Sequence, residues 1–344
     1  MTTVLLAMQH ALLVANGTDD RWTTDVRLEG RSLRCIAADP HQMQRAYCGT
    51  SDGGLLRTDD LGASWRPVGD GIAHDHVTAV SVSAREITRG YGAVYAGTEP
   101  SGLFRSEDSG ASWRDLSSFT QLPSARTWRY PPRPETHHVR WITPDPVVDE
   151  RLFVCIESGA LVRSSDGGVT WEDRTPDGPR DTHTLRAHPL VNGALYAAAG
   201  DGYMHPGRGF MRSHDAGDTW QRPDGGLRHQ YLWGAAVDPG DPETLVVSAA
   251  ASPGNAHDLD GAESFIYRKT PGEEWHVVSD GLPEPRGTRV SVLTTVISEP
   301  GVFYAANNHG IYRSADAGLT WDRLPIPWPR ELEEPGARGM AVVA

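Results

Sequence analysis

The sequence predicts an all-β protein that folds as one seven-bladed β-propeller across residues 1–344. A short motif ending in tryptophan recurs along the chain, four strand-like runs surround each copy, and the two chain ends together supply one further repeat. Short strands with regularly spaced turn signals are typical of radially repeated all-β folds. Because one such repeat cannot bury its apolar face alone, neighbouring repeats are expected to pack into a single ring.

The repeated motif reads Ser/Thr, Asp, Gly, Ser/Thr and Trp over eight residues, and we term it the turn motif. Its complete copies are 58–65, 106–113, 164–171, 213–220 and 314–321, and two decayed copies are 16–22 and 270–275. An aspartate can accept hydrogen bonds from its own turn, glycine permits positive φ, and tryptophan anchors the turn on the sheet. We therefore predict a structural role for the aspartates of the complete copies, namely Asp60, Asp108, Asp166, Asp215 and Asp316.

Four strand-like runs surround each turn motif, which predicts a four-stranded antiparallel blade. In the first complete repeat these runs are 32–38, 45–49, 54–58 and 65–68. Residues 4–27 offer only three strands, and residues 338–344 align with 34–40 and supply the missing innermost one. One blade is thus expected to contain both the N-terminal and the C-terminal strands, which removes an open sheet edge.

The turn motif and its recurrence resemble the Asp-box (BNR-repeat) propellers, which include sialidases, xyloglucan hydrolases, sortilin-type receptors and photosystem II assembly factors. This resemblance covers the whole chain and implies the propeller fold, but it implies little about function because one fold hosts many activities. The Phe/Tyr-Arg-Ile-Pro segment of the sialidases is absent, so a typical sialidase is not expected. Xyloglucan hydrolases have two propellers where this chain has one. Assembly factors agree best in size and blade number, although they usually follow a targeting or lipoprotein segment, which we do not expect for this sequence.

Composition narrows the classes of partner. Thirty-two Lys and Arg against 45 Asp and Glu give a formal net charge of −13, which argues against nucleic acid because such binding depends on many basic contacts to phosphate. No apolar run approaches the roughly 20 residues of a membrane span, and the apolar N-terminus lacks the basic leader of a signal peptide. Three cysteines without CxxC spacing suit a reducing compartment. We expect a cytoplasmic protein without a membrane partner.

Alignment of the innermost strands on their Asp-Pro-like positions predicts a ring of side chains at one level of the axis. The ring comprises Arg338, Arg34, Thr78, Arg140, His183, Trp233 and Thr294. Arginine forks grip carboxylates and phosphates bidentately, so Arg34, Arg140 and Arg338 are candidate ligands for an anion. Their alternative role is to pair with carboxylates or water inside the tunnel.

Histidines recur beside these arginines. His76 and His138 lie two positions before the ring, and His183 belongs to it. Histidine serves as a general acid or base and as a ligand for divalent transition metals, so these three are candidate catalytic residues and candidate metal ligands. No pair has a metal-motif spacing, and hydrogen-bonded strand residues are the plainer interpretation.

Long connections and aromatic residues point to the same rim. The segment 114–137, which contains Trp128, is long enough to cover the tunnel, and the turns 200–210 and 251–264 are also enlarged. Enlarged loops on one face of a repeat usually mark its binding face. Trp128, Tyr231 and Trp233 are candidates to stack on a sugar or another ring, with packing as the alternative role.

Three hypotheses about function follow. The first is an enzyme or binder that acts on a small polar molecule, anionic or sugar-like, at the axis, with a divalent transition metal as candidate cofactor. The second is a non-catalytic scaffold that binds a protein segment on the same face. The third is a glycoside hydrolase, which needs two carboxylates about 5–10 Å apart, and Glu99 and Glu157 are the candidates.

Overall fold

Seven small antiparallel sheets form a ring, which confirms the predicted seven-bladed β-propeller. The computed structural model describes residues 1–18 and 21–344. The innermost strands contact one another in sequence around the axis, and the last contacts the first. The ring closes as predicted, because the C-terminal strand pairs with the N-terminal one, with Leu5 opposite Ala341. Asp19 and Asp20 of the decayed motif at 16–22 lie outside the described residues.

Each blade is numbered from the N-terminus, and its strands run from the axis outwards. Blade 1 consists of β26 (Ala337–Val343), β1 (Thr2–Met8), β2 (Leu12–Thr18) and β3 (Arg21–Arg27). Blades 2 and 3 consist of β4 (Leu33–Ala38), β5 (Ala46–Thr50), β6 (Leu55–Thr58) and β7 (Arg66–Pro67), then β8 (Val77–Thr88), β9 (Tyr91–Thr98), β10 (Leu103–Ser106) and β11 (Arg114–Asp115).

Blades 4 and 5 have three strands each, and their fourth strand shrinks to one bridge, Arg163 with Glu172 and Arg212 with Gln221. Their strands are β12 (Val139–Pro144), β13 (Leu152–Ile156) and β14 (Ala160–Ser164), then β15 (Thr182–Ala187), β16 (Leu195–Ala199) and β17 (Phe210–Ser213). Blades 6 and 7 consist of β18 (Tyr231–Asp238), β19 (Asp241–Ala250), β20 (Ser264–Lys269) and β21 (His276–Val278), then β22 (Val292–Thr294), β23 (Phe303–Asn307), β24 (Gly310–Ser314) and β25 (Asp322–Arg323).

Helical turns occur only in connections within the described chain. They are the short α-helices α1 (Asp201–Met204) and α2 (Pro253–His257) and the 3₁₀ helices Ser117–Gln121, Pro123–Thr127 and Arg330–Leu332. No helix of the described residues has the length and apolar character needed to cross a membrane. The three cysteines, Cys35, Cys48 and Cys155, are free thiols.

Apolar packing between blades holds the ring together. Buried side chains form a separate cluster at each of the seven blade interfaces, including the one between blades 7 and 1, where Ile311 meets Val4 and Leu6. Burial of apolar area stabilises the fold by roughly 25 cal/mol per Å². Because each interface is formed by two adjacent blades, it is stable only when both blades are in place. The axial strands are thereby fixed relative to one another.

The aspartate of each complete turn motif finds its hydrogen-bond partners within the same motif. In blade 4, Asp166 accepts hydrogen bonds from the Thr170 hydroxyl at 2.6 Å, the Thr170 amide at 2.9 Å and the Ser164 hydroxyl at 2.8 Å. The other four complete copies repeat this pattern. Hydrogen bonds from Thr170 hold the pKa of Asp166 below its usual value. These carboxylates are engaged within their turns, beside the hairpins that join first and second strands.

Candidate functional site

A β-bulge near the start of the innermost strand places one ring residue in each of six blades. The ladder skips one position between neighbouring pairs, and the skipped residues are Arg338, Arg34, Thr78, Arg140, His183, and Trp233 with Gly234. A bulge re-aims the extra side chain out of the regular pleat. The predicted ring therefore exists in these blades as a repeated backbone feature.

Blade 7 departs from the predicted ring. Val292 lies opposite Ala306, as Trp141 lies opposite Cys155 in blade 4, so Ser291 and not Thr294 holds the ring position. Thr294 lies three residues further along the strand and lines the axial cavity. The alignment failed here because the Asp-Pro-like pair of blade 7, Glu299-Pro300, lies eight residues after Ser291 instead of five.

A cavity of about 380 Å³ occupies the propeller axis and is lined by the innermost strands of all seven blades. Arg140, Trp233 and Arg338 belong to its wall, together with many small residues such as Ala37 and Ala79. Its volume lies near the lower end of the range of small-molecule pockets, which is about 300–1,000 Å³.

Three arginines, Arg34, Arg140 and Arg338, lie near one another at the mouth of this cavity. Burial, together with the charges of Arg34, Arg140 and Arg289, lowers the pKa of Arg338 to about 10. Arg140 stacks on Trp233, with its guanidinium carbon 4.4 Å from the ring centre, and lies 3.5 Å from Glu157. Within the described chain, no carboxylate lies within 4.0 Å of Arg34 or Arg338. Arg34 and Arg338 therefore lack a directly paired carboxylate, whereas Arg140 is paired with Glu157.

Glu99 lies close to three basic side chains on one side of the mouth. Its carboxylate lies 2.7 Å from Arg133, 3.5 Å from His76 and 3.7 Å from His138, and its side chain is only 5% exposed. His76 is also within 3.1 Å of the Ser51 hydroxyl. His76 and His138 therefore share one carboxylate and belong to a single network.

Two further carboxylates, Glu157 and Asp181, lie close together beside this network. Glu157 accepts a hydrogen bond from Nε2 of His138 at 2.9 Å, and Asp181 accepts two from Ser158, from its amide at 2.9 Å and its hydroxyl at 3.0 Å. Burial raises the pKa of Glu157, but His138, His183 and Arg140 outweigh it and bring that pKa well below its usual range. Burial raises the pKa of Asp181. The pKa values of the two carboxyl groups are thus shifted in opposite directions.

The three predicted metal ligands do not form one ligand set. Among the described residues, Glu157, Asp181 and His183 are the single group of three or more such side chains with ligand atoms within 4.8 Å of one another. Nδ1 of His183 lies 2.6 Å from the Leu232 carbonyl, to which it donates, and this leaves Nε2 toward Asp181. A divalent metal would therefore use His183 with two carboxylates, next to the opposing charge of Arg140.

The predicted aromatic residues occupy different environments. Trp128 is 4% exposed and stacks on Phe119 in the core between blades 3 and 4, so it does not reach the cavity. Tyr231 packs against His183 and lies 3.2 Å from Nε2 of His257. Trp233 is 8% exposed and offers the cavity only the part that Arg140 leaves uncovered.

The long segment 114–137 reaches the mouth through two other residues. Tyr130 packs edge-on against His138 with ring centres 4.7 Å apart, and Arg133 bonds Glu99. Sequence reasoning missed Arg133 and also His257 of α2, which packs on Trp233. Both come from irregular loops, and their one sequence signal is the unusual length of those loops.

Stability should fall as the pH drops from 6.5 toward 4. Burial lowers the pKa of His76 to about 4 and that of His257 to about 3, whereas both are ordinary histidines in the unfolded chain. The unfolded state then binds more protons in this window, which favours unfolding. Asp181 acts in the opposite direction because its pKa is raised. We expect His257→Gln to flatten the dependence of the melting temperature on pH, and the exposed His10→Gln to leave it unchanged. A slope unaltered by His257→Gln would contradict this assignment.

Comparisons with known proteins show the fold. No protein-family model matches this sequence, and no curated protein matches it. A GH74 enzyme from Niastella koreensis superposes with a TM-score of 0.66 at 16% identity, over 93% of this chain and 51% of that one. A structure of YCF48 bound to D1 peptide gives 0.58 at 16% identity, over 91% and 92% of the two chains. YCF48 from Cyanidioschyzon merolae gives 0.56 at 16% identity, over 85% of each chain.

The chain spans about half the length of the GH74 structures and nearly the whole length of YCF48 bound to D1 peptide. At 16% identity these similarities establish a β-propeller. Function must therefore be argued from the axial residues.

Proposed function

We propose that this protein binds, and acts on, a small polar molecule with an anionic group at the mouth of its axial cavity. The observation that carries the proposal is the cluster of Arg34, Arg140 and Arg338, in which Arg338 is half-buried and has no carboxylate partner among the described residues. A buried charge is costly unless it is paired, and a bound carboxylate or phosphate supplies the missing partner.

The groups beside the arginines supply acid–base chemistry in this proposal. Asp181 has a raised pKa and Glu157 a lowered one, which is the arrangement that separates a general acid from a general base. His138 and His183 orient these carboxylates through the contacts described above. His76 lies further out, on Glu99, and serves there as a positioning residue.

A glycoside hydrolase is the second candidate. Carboxylate oxygens of Glu157 and Asp181 lie within 4.8 Å of each other, which approaches the separation of roughly 5 Å used by retaining enzymes. This pair fits that role better than the predicted pair Glu99 and Glu157, because Glu99 is held by Arg133 and two histidines. The similarity to a GH74 enzyme and the turn motifs, whose aspartates bond within their own turns, support descent of this protein from an Asp-box propeller. Such descent supports the glycoside hydrolase as a candidate.

A protein-binding scaffold is the remaining alternative, supported by the YCF48 structure with its D1 peptide. An enclosed cavity favours a small ligand over a protein segment. The scaffold hypothesis is therefore kept as an outcome of the binding test.

The test measures binding of glucuronate, acetate and phosphate, with uncharged glucose for comparison, by calorimetry. We expect at least one anion to bind and glucose to bind more weakly. Arg338→Gln should weaken the anion by about 10- to 100-fold, since a hydrogen bond between charged groups contributes about 1.5–3 kcal/mol. Arg21→Gln, an exposed arginine on the outer strand of blade 1, is the matched control and should change nothing.

Absence of binding by every anion, or equal affinities for wild type and Arg338→Gln, would overturn the proposal. Binding of unstructured peptides in place of the small anions would instead support the scaffold.

A further inference from the structure

Arg186 lines the same axial cavity below the mouth. Arg186 lies three residues after His183 on β15, about 10 Å deeper at the rise of a β-strand. Its Nε donates to the Ala235 carbonyl at 3.0 Å and its Nη2 to the Leu293 carbonyl at 2.7 Å. The guanidinium carbon lies 5.0 Å from the centre of the Trp141 ring. Arg186 thus reaches from blade 5 past blade 6 to blade 7, and its Nη1 has no partner in the described chain.

The described wall of the cavity contains no carboxylate. Its lining, all of it described, includes Arg140, Arg186 and Arg338 but no aspartate or glutamate. The rest of the wall is small, apolar or hydroxylic, as with Ala341, Leu185 and Thr143. Burial alone lowers the pKa of Arg186 to about 10, which is the mark of a guanidinium without a nearby anion.

The cavity has positive charge at two levels and a largely uncharged wall between them. It therefore suits a ligand with a negative group at each end. One acidic group would meet Arg338 and Arg140 at the mouth, and the other would meet Nη1 of Arg186 at depth. The stretch between the two levels passes Ala79 and Gly339, which present no polar side chain to a linker. A hydrocarbon linker is therefore the best match for the middle of the cavity.

We propose that the axial cavity binds a small dicarboxylate with an apolar linker, with one carboxylate at the mouth arginines and the other at Arg186. This inference rests on the proposed anion site at the mouth and adds a second, deeper anion subsite. It also assigns Arg186 the role of selecting dianions over monoanions.

The test compares adipate with hexanoate, which has the same number of carbons and one carboxylate, by calorimetry at constant ionic strength. Wild-type protein should bind adipate at least about 10-fold more tightly than hexanoate, since the second carboxylate gains a charged hydrogen bond. Arg186→Gln should remove this preference and leave hexanoate affinity unchanged. Arg338→Gln should weaken both ligands.

The outcomes separate the two proposals. If wild type binds both ligands equally, the deep subsite is wrong and the mouth site stands. If neither ligand binds and the wider anion panel also fails, both proposals are wrong. If Arg186→Gln weakens adipate and hexanoate by the same factor, Arg186 is only structural and the subsite is again wrong.

A series from succinate to suberate on unmodified protein keeps the proposal testable if Arg186→Gln does not fold. Affinity should pass through a maximum at one linker length, because the two arginine levels are a fixed distance apart. A flat series would overturn the deep subsite.

Discussion

Gly281→Ala is expected to destabilise the protein by about 3 kcal/mol or more, because two effects combine at this position. Gly281 has φ of +76°, which L-residues avoid, and a Cβ there would lie 1.5 Å from the carbonyl oxygen of Trp321. That oxygen is backbone, held by the Trp321 amide bonding the Asp280 carbonyl at 3.0 Å. The overlap cannot be relieved by a side-chain rotation, so the junction between blades 6 and 7 must shift. Chemical denaturation would measure the loss.

Gly301→Ala is the matched control for this prediction. Its φ is +78°, almost the same, but nothing lies within 4 Å of its Cβ position. It should cost only the backbone term, about 1 kcal/mol. If the two variants lost equal stability, the contact with Trp321 would not be the cause.

Gly281 belongs to a second repeat in the sequence. After the outer strands, segments such as 68–72, 223–227 and 278–282 carry an aspartate and one or two glycines before an apolar residue. In blades 2, 5 and 6 the glycine lies against the motif tryptophan of the next blade: Gly71 against Trp113, Gly226 against Trp275, and Gly281 against Trp321. The tryptophan therefore anchors its own turn and also packs against the glycine of the preceding blade. Spacing alone does not reveal that contact, since its partners are about 40 to 50 residues apart.

The ring of axial side chains was predictable because it depends on strand register. Wherever an Asp-Pro-like pair marks the end of the first strand, counting back five residues finds the bulged residue, as with Arg34 and Arg140. Blade 7 has Val296-Ile297 there, and its Asp-Pro-like pair is Glu299-Pro300, so the count reached Thr294, three positions beyond Ser291. The register of a strand follows a local pattern, and it fails where the pattern is missing.

The grouping of the ring residues was not predictable from register. His76, His138 and His183 occupy neighbouring levels, yet two of them share Glu99 while His183 faces Asp181. Which carboxylate each histidine meets depends on hairpin loops of different length and on Arg133, which enters from the segment 114–137. Loop conformation is set by tertiary contacts, so the sequence indicated the chemistry of the site but not its pairing.

Removal of residues 337–344 should abolish cooperative folding. This segment contains β26, the innermost strand of blade 1, which pairs with β1 and also contacts β4 and β22. Its loss leaves β1 with an unpaired edge at the axis, separates blade 7 from blade 1 and deletes Arg338 from the mouth. Net stabilities of folded domains are about 5–15 kcal/mol, and an opened ring loses a comparable amount of burial and hydrogen bonding.

The truncation separates ring closure from general fragility of the chain end. Removal of Ala344 alone, which follows β26, should leave the melting temperature unchanged. A synthetic peptide of residues 336–344 added to the truncated chain should restore a cooperative transition that depends on peptide concentration, because it can replace β26 without a covalent link. A truncated chain that melts like wild type would mean that six complete blades and an incomplete blade 1 are enough for folding. The axial site would then keep its shape without the C-terminal strand. Restoration of folding by the peptide together with recovery of anion binding would tie Arg338 to the site through the same strand that closes the ring.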